Sequence, residues 1–446
     1  MGELGNRSTK PLQINPIKLS SPMGATLAFL GVDRCMPLMH GAQGCTSFTK
    51  VFFTRHFCEP IAIQTSAVTD VTAVLDGGDY NIVESIKNIT KKAKPDLIGL
   101  FTTGLTETKG DDVRGIASQI AYPLVHVNTP DYEAGLENGW ALATKALISQ
   151  LVESATHIDP RKVVICPHVG LQAIEVEKIK EFISLFGFEV HALPDLSTAL
   201  DGHLGEKQSA LSSGGITLAT IKALGDAGTV ISIGASMLAC AAALQAKNPQ
   251  TQHVHFDHLN GLEATDDFVA TLLDLSGQKT PHATIVRWRQ RLQDAMLDSH
   301  FTLGQTNLLI TGEPDQAAGL CQALGEAGGR IKGVIASGPS AQLARIKAEK
   351  VVVGDLDDAE TMLANCDLLI GNSHCEALAH LRQKPLLLRG FPNWEQIGHQ
   401  LTNDVLYEGG CYLLFAAANA ISRAHMEPVT HGESPPKSTS TVAEET

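Results

Sequence analysis

Short apolar runs recur along the chain, each followed by a Gly/Ser/Thr/His/Pro break and then a helical pattern. "PDLIGLFTTG" (95–104) precedes "DDVRGIASQIA", and "RKVVICPHVG" (161–170) precedes "LQAIEVEKIKEFISLFG". "QTNLLITGEP" (305–314) leads into "DQAAGLCQALGEAG", and "CDLLIGNSH" (366–374) into "CEALAHLRQ". Val, Ile and Leu fill successive rather than alternate positions, as expected of strands covered on both faces. Strand–helix alternation of this kind predicts parallel sheets with crossover helices, an α/β fold. "TLAFLGV" (26–32) reads as one more buried strand. The expected organisation is an N-terminal extension (1–17), then three doubly wound, Rossmann-like domains with mainly parallel sheets at 18–157, 158–302 and 303–425. A polar, proline-bearing tail (426–446) has little to bury and is expected to be disordered.

Composition narrows the function classes. A chain of 446 residues, 43% hydrophobic and 18% charged, is globular and too long for a single core. Its 34 Lys and Arg against 48 Asp and Glu give a net charge of −14, with no basic cluster. Nucleic acid and an anionic membrane surface are therefore not expected as partners. "MGELGNRSTKPLQINP" lacks the apolar centre of a signal peptide, and no run approaches the roughly 18 apolar residues of a membrane span. A cytoplasmic location is expected. Neither G-x-G-x-x-G nor G-x-x-x-x-G-K-[ST] occurs, so a nucleotide has no fingerprint here.

The nine cysteines contain no C-x-x-C pair, which disfavours a dithiol motif and a zinc ribbon. Most should be small buried hydrophobes. Cys45 differs in setting. It follows "HGAQG", a glycine-rich break, and a helix is predicted from about Thr46 or Ser47, with Phe48, Val51 and Phe52 on one face. Free N–H groups at a helix start favour a negatively charged sulfur, the form that binds iron or zinc. Gly41 and Gly44 would leave the backbone open to a bulky inorganic group. Cys35 reads as a packing thiol, and Cys58 as packing near the helix end. His40 reads either as a partner of a cluster sulfur or as a hydrogen-bonded loop histidine. His374 and Cys375 lie at a strand-to-helix break, where ligands often bind, without a metal partner in sequence. Asp111 and Asp112 read as ordinary acidic complements to a helix start. One cysteine cannot hold a four-iron cluster, which takes about four thiolates. Either no cluster binds or another chain supplies the rest.

"CMPLMHGAQGCTSFTKVFFTRHFCEPI" (35–61), "LIGLFTTGLTETKGDDVRGI", "VNTPDYEAGLENGW", "ALPDLSTALDGHL" and "VGDLDDAE…LLIGNSH" resemble the nitrogenase component-1 family, on its beta side. The likeness runs from about residue 15 to residue 425. In the family's catalytic beta subunit three cysteines hold an electron-relay cluster. Here the first is kept as Cys45, while the second position falls near Gln64 and the third at Gly104, neither of them a thiol. That departure points to the family's cofactor-assembly branch. For that branch the resemblance implies a scaffold, not an enzyme, on which the iron–molybdenum cofactor is matured. It implies a 4Fe–4S cluster at a subunit interface, with one thiolate from Cys45 and three from an E-type partner. It further implies a heterotetramer with two copies of each chain, the iron–molybdenum cofactor precursor in the partner, and transient docking of the nitrogenase iron protein. The related dark-operative protochlorophyllide and chlorin reductases are the alternative within the fold. A nucleotide-dependent α/β oxidoreductase is the alternative outside it.

Overall fold

The computed structural model describes residues 15–57, 59, 61–68, 78–132, 135–203 and 209–425. The tail at 426–446, most of the N-terminal extension and Cys58 lie outside these. The described strands form three sheets, parallel throughout. The first joins β1 (Cys35–His40), β2 (Gln64–Thr65), β3 (Leu97–Thr102) and β4 (Leu124–Val127) in the order β2-β1-β3-β4. The second joins β5 (Asp159–Cys166), β6 (Glu189–Ala192), β7 (Ala227–Ile233) and β8 (Gln252–Phe256) in the order β6-β5-β7-β8. The third joins β9 (Asn307–Gly312), β10 (Arg330–Ala336), β11 (Val351–Val353), β12 (Leu368–Gly371) and β13 (Leu386–Leu388) in the order β11-β10-β9-β12-β13.

The continuous apolar runs follow from burial on both faces. In β3, Leu97 and Phe101 enter one core with helix α1 (Ser21–Leu30) and the helix Leu136–Leu151. Ile98 and Leu100, alternating with them, enter another core with Ile82, Ile86 and Ile89 of the helix Asp79–Lys92. The second sheet is shared in the same manner. Val164 and Val230 face the first sheet's core, whereas Val163 and Ile231 face a core common to the third sheet. Leu308 and Ile310 of β9 complete that common core, and Leu309 points into a smaller one behind it. Each fully buried side chain of this size contributes about 2 kcal/mol, so the second sheet is the layer that binds the molecule together.

One expectation fails here. "TLAFLGV" is not a strand: residues 21–30 form α1, every residue of which is buried. A helix that is apolar all round carries no 3.6-residue stripe, so it cannot be told from a buried strand by pattern. It packs against the helix Leu136–Leu151 at backbone distance. A Cβ on Gly24 would come within 2.0 Å of the Leu136 carbonyl oxygen, and one on Gly139 within 1.8 Å of the Ser21 oxygen. Just before α1 the chain crosses to the third sheet. Asn15 Nδ2 donates to the Gly354 carbonyl (2.8 Å), and Ile17 is buried among Leu309, Ile335 and Val352.

In each sheet the strand order reverses once, between β1 and β3, between β5 and β7, and between β9 and β12. The carboxyl ends of the strands beside such a reversal leave a crevice, the usual place for ligands in open α/β sheets.

Candidate functional site

Cys45 stands at the reversal of the first sheet. β1 ends at His40, and helix α2 (Gln43–Phe57) begins three or four residues earlier than the sequence suggests, making Cys45 its third residue. Thr46, Thr49, Phe53, His56 and Phe57 turn inward, with the Thr46 hydroxyl 3.5 Å from Met39 Sδ. Cys45, Phe48 (71% exposed) and Val51 (55%) turn outward. Cys45 is free and exposed, while the other seven described cysteines are buried. Around Gly44 there is open space, since a Cβ built there meets nothing within 4 Å. Gly41 corrects the expectation of two uncovered glycines: it packs on Thr103, 2.6 Å from where its Cβ would lie.

Gln64, exposed in β2, pairs with Leu38, and Gly104 opens the helix Gly104–Lys109 directly after β3. All three positions singled out by the resemblance thus lie toward the carboxyl end of the strands of one sheet. Only Cys45 carries a thiol. Among the described residues no three His, Cys, Asp or Glu side chains are gathered so as to hold a metal ion. The exposed sulfur in the first turn of a 15-residue helix, beside open space, fits a single ligand to a group approaching from outside. A four-iron cluster would need its remaining ligands from elsewhere.

The other candidates resolve differently. Cys35 opens β1 fully buried, and burial pushes its thiol far up, as packing requires. His40 is buried with both ring nitrogens engaged: Nδ1 lies 2.7 Å from Ser66 Oγ, and Nε2 lies 2.8 Å from Asp111 Oδ2. It is a strand-end histidine in a hydrogen-bonded network. Asp112 caps the helix Val113–Ser118 through the Gly115 N–H (2.8 Å), as expected of an acidic helix start. Asp111 does not; it holds His40 and Lys109 (3.1 Å). Sequence reasoning missed this pair because its members are 71 positions apart and share no spacing signal. Cys375 and His374 do follow β12 at a break. Cys375 is buried against Thr311 Oγ1 (3.1 Å), its thiol pushed up to about 11 by burial. His374 packs between Phe52 and Trp394.

The reversals of the second and third sheets form a second polar region, which the sequence did not announce. After β9, the Asp315 carboxylate accepts the N–H groups of Ala235 (3.0 Å) and Ser236 (3.1 Å), which follow β7. It takes the place that a phosphate would take at such a turn. The Asp315 N–H donates to Glu137 Oε2 (3.1 Å) from the first sheet's helix. Glu137, Ser236, Glu313, Ser337 and Ser340 line a cavity of about 200 Å³ there. Burial, then the Asp315 and Glu313 charges, raise Glu137 well above the carboxylate range. Burial likewise raises Glu313 and Asp315 despite the hydrogen bonds each accepts. This region is acidic, and all three carboxylates are buried.

The sequence profile described as nitrogenase component 1 type oxidoreductase matches residues 20–422. The chain belongs to the nitrogenase component 1 family. Among family members, a protein of Bradyrhizobium diazoefficiens named nitrogenase iron-molybdenum cofactor biosynthesis protein NifN is 38% identical, covering 93% of this chain and 90% of its own. A protein of the same name from Rippkaea orientalis is 37% identical, covering 92% and 94%. A solved component 1 structure, of nitrogenase Cp1 at pH 6.5, superposes with a TM-score of 0.88 at 29% identity, covering 94% of this chain and 95% of that one. The three-sheet α/β architecture is therefore that of nitrogenase component 1. No described helix is long and apolar enough to cross a membrane.

Proposed function

We infer that the chain is a subunit of the complex on which the nitrogenase iron–molybdenum cofactor is matured, a scaffold rather than an enzyme. Its three sheets would belong to domains spanning 18–157, 158–302 and 303–425. Cys45 gives one thiolate to a 4Fe–4S cluster at the interface with an E-type partner, and three thiolates come from that partner. The names carried by relatives covering almost the whole chain support the role in cofactor biosynthesis. The observation that carries the ligand assignment is the isolation of Cys45. It is exposed at a helix start and flanked outward by Phe48 and Val51, with no thiol at Gln64 or Gly104. An exposed apolar stripe beside a lone ligand suits a partner surface that completes the ligand set. A bound cluster would supply one-electron chemistry at that interface.

The complex is cytoplasmic, a heterotetramer with two copies of each chain. The cofactor precursor sits in the partner, and the nitrogenase iron protein docks transiently. The test is to purify the full chain with its partner, count iron, and record the electron paramagnetic resonance of the interface cluster in the parent and in Cys45→Ala. Loss of that signal with the complex intact is expected. An unchanged signal would remove Cys45 from the ligand set.

A further inference from the structure

The turn from β1 into α2 is tied down at both of its edges. The His40 carbonyl accepts the hydroxyls of Thr103 (3.2 Å) and Thr106 (2.9 Å) from the turn after β3. The Gly41 carbonyl accepts the Thr65 hydroxyl (3.1 Å) and the Val68 N–H (2.9 Å) from beyond β2. The Gly41 N–H donates to Ser66 Oγ (3.3 Å), which is itself 2.7 Å from His40 Nδ1. The far side of the imidazole meets Asp111, and Asp111 meets Lys109.

The direction of each bond can be derived. Burial would raise the Asp111 carboxyl, but the His40 and Lys109 hydrogen bonds outweigh it and leave the group lower than usual, so it is an ionised acceptor. An ionised carboxylate only accepts, so Nε2–H of His40 donates to it. Burial lowers His40 below the ordinary imidazole value against the pull of Asp111, which keeps the ring neutral. The charged groups acting on it are Asp111, Lys109 and Asp79. A neutral ring protonated at Nε2 has a lone pair at Nδ1, so Ser66 donates its hydroxyl there and is free to accept from Gly41. The chain of bonds therefore runs one way from Gly41 to Ser66 to His40 to Asp111. The carboxylate fixes the tautomer, and the tautomer fixes the hydroxyl that holds the turn.

We propose that His40 is a positioning residue for the Cys45 ligand, with Asp111 selecting its tautomer and Ser66 relaying it to the Gly41 backbone, at the turn that leads into the helix carrying Cys45. This rests on the reading of Cys45 as a ligand. It assigns no contact between His40 and the cluster.

The test uses the full chain with its partner and, separately, the full chain alone. Partners that orient a metal ligand act on affinity by about 10-fold, so His40→Leu and Asp111→Asn should lower cluster occupancy by roughly that factor and alter the resonance line shape. Ser66→Ala should do so more weakly. His40→Gln, which can still donate and accept, should restore part of the loss. Ile98→Val, a core change away from this turn, should leave the line shape as it is. In the chain alone, the Cys45-dependent rate of maleimide alkylation should change several-fold in His40→Leu and Ser66→Ala but not in Ile98→Val. If His40→Leu does not fold, Ser66→Ala and Asp111→Asn decide. Unchanged occupancy and alkylation in folded variants would overturn the proposal. If Cys45→Ala keeps the cluster, the ligand reading fails, and the alkylation rates alone then decide whether His40 positions Cys45.

Discussion

Two kinds of crevice occur in this molecule under one strand topology. At the first sheet the reversal between β1 and β3 opens outward, with a free thiol, empty space around Gly44 and an exposed Phe48 and Val51. At the second and third sheets the reversals face one another, and Asp315 fills the anion position after β7 from the opposite side. Strand order alone thus makes a crevice without making a ligand site. What decides is whether a neighbouring layer supplies the missing partner. Where it does, the crevice becomes a joint between layers; where it does not, the groups stay exposed.

That contrast can be broken at the joint, with the largest cost in stability. Asp315→Leu removes the acceptor of the Ala235 and Ser236 N–H groups from the middle of the joint, and should cost about 3 kcal/mol in denaturant unfolding. A loss below about 0.5 kcal/mol would mean that the joint is not sealed by this carboxylate.

Next comes pH. Glu137, Glu313 and Asp315 hold protons more tightly folded than unfolded, because burial raises all three. At these three carboxyls the native state binds more protons than the unfolded one between the unfolded carboxylate range and neutrality, so the stability they contribute falls as pH rises through that window. Buried histidines such as His56 and His168, held below the imidazole range by burial, act in the opposite sense, so the quantity to read is the difference between the parent and Glu313→Gln. From pH 5 to pH 8 the parent should lose on the order of 2 kcal/mol relative to the variant, read as the thermal midpoint across buffers. A difference that does not change with pH would show that Glu313 ionises without strain.

The smallest effect belongs to the open crevice. Cys45→Ser and Gly44→Ala touch nothing that the fold requires, so each should shift unfolding by about 0.5 kcal/mol or less. A shift as large as that of Asp315→Leu would make the first crevice structural and erase the comparison.

Much of this was legible beforehand, and for definite reasons. The runs at β3, β5, β9 and β12 announce two-sided strands because Ile98 and Leu100 face one core while Leu97 and Phe101 face another. Cys45 was legible because a glycine-rich break followed by a one-sided apolar helix pattern marks a helix start. Helix α1 was not, because it is buried all round and loses its stripe. Nor were the His40–Asp111 pair and the Asp315 plug, each built between residues distant along the chain. Burial of an acid in "GEPD" looks the same in sequence as an exposed helix cap. Only the neighbour that covers it tells the two apart.

The seating of Ile17 among Leu309, Ile335 and Val352 has a consequence for the timing of synthesis. Ile17 leaves the ribosome well before the three residues that cover it. Until they follow it must wait uncovered, the kind of exposure on which chaperones act. Helix α1 waits less, since the helix Leu136–Leu151 covers it. The third sheet is thus what releases Ile17 from that wait.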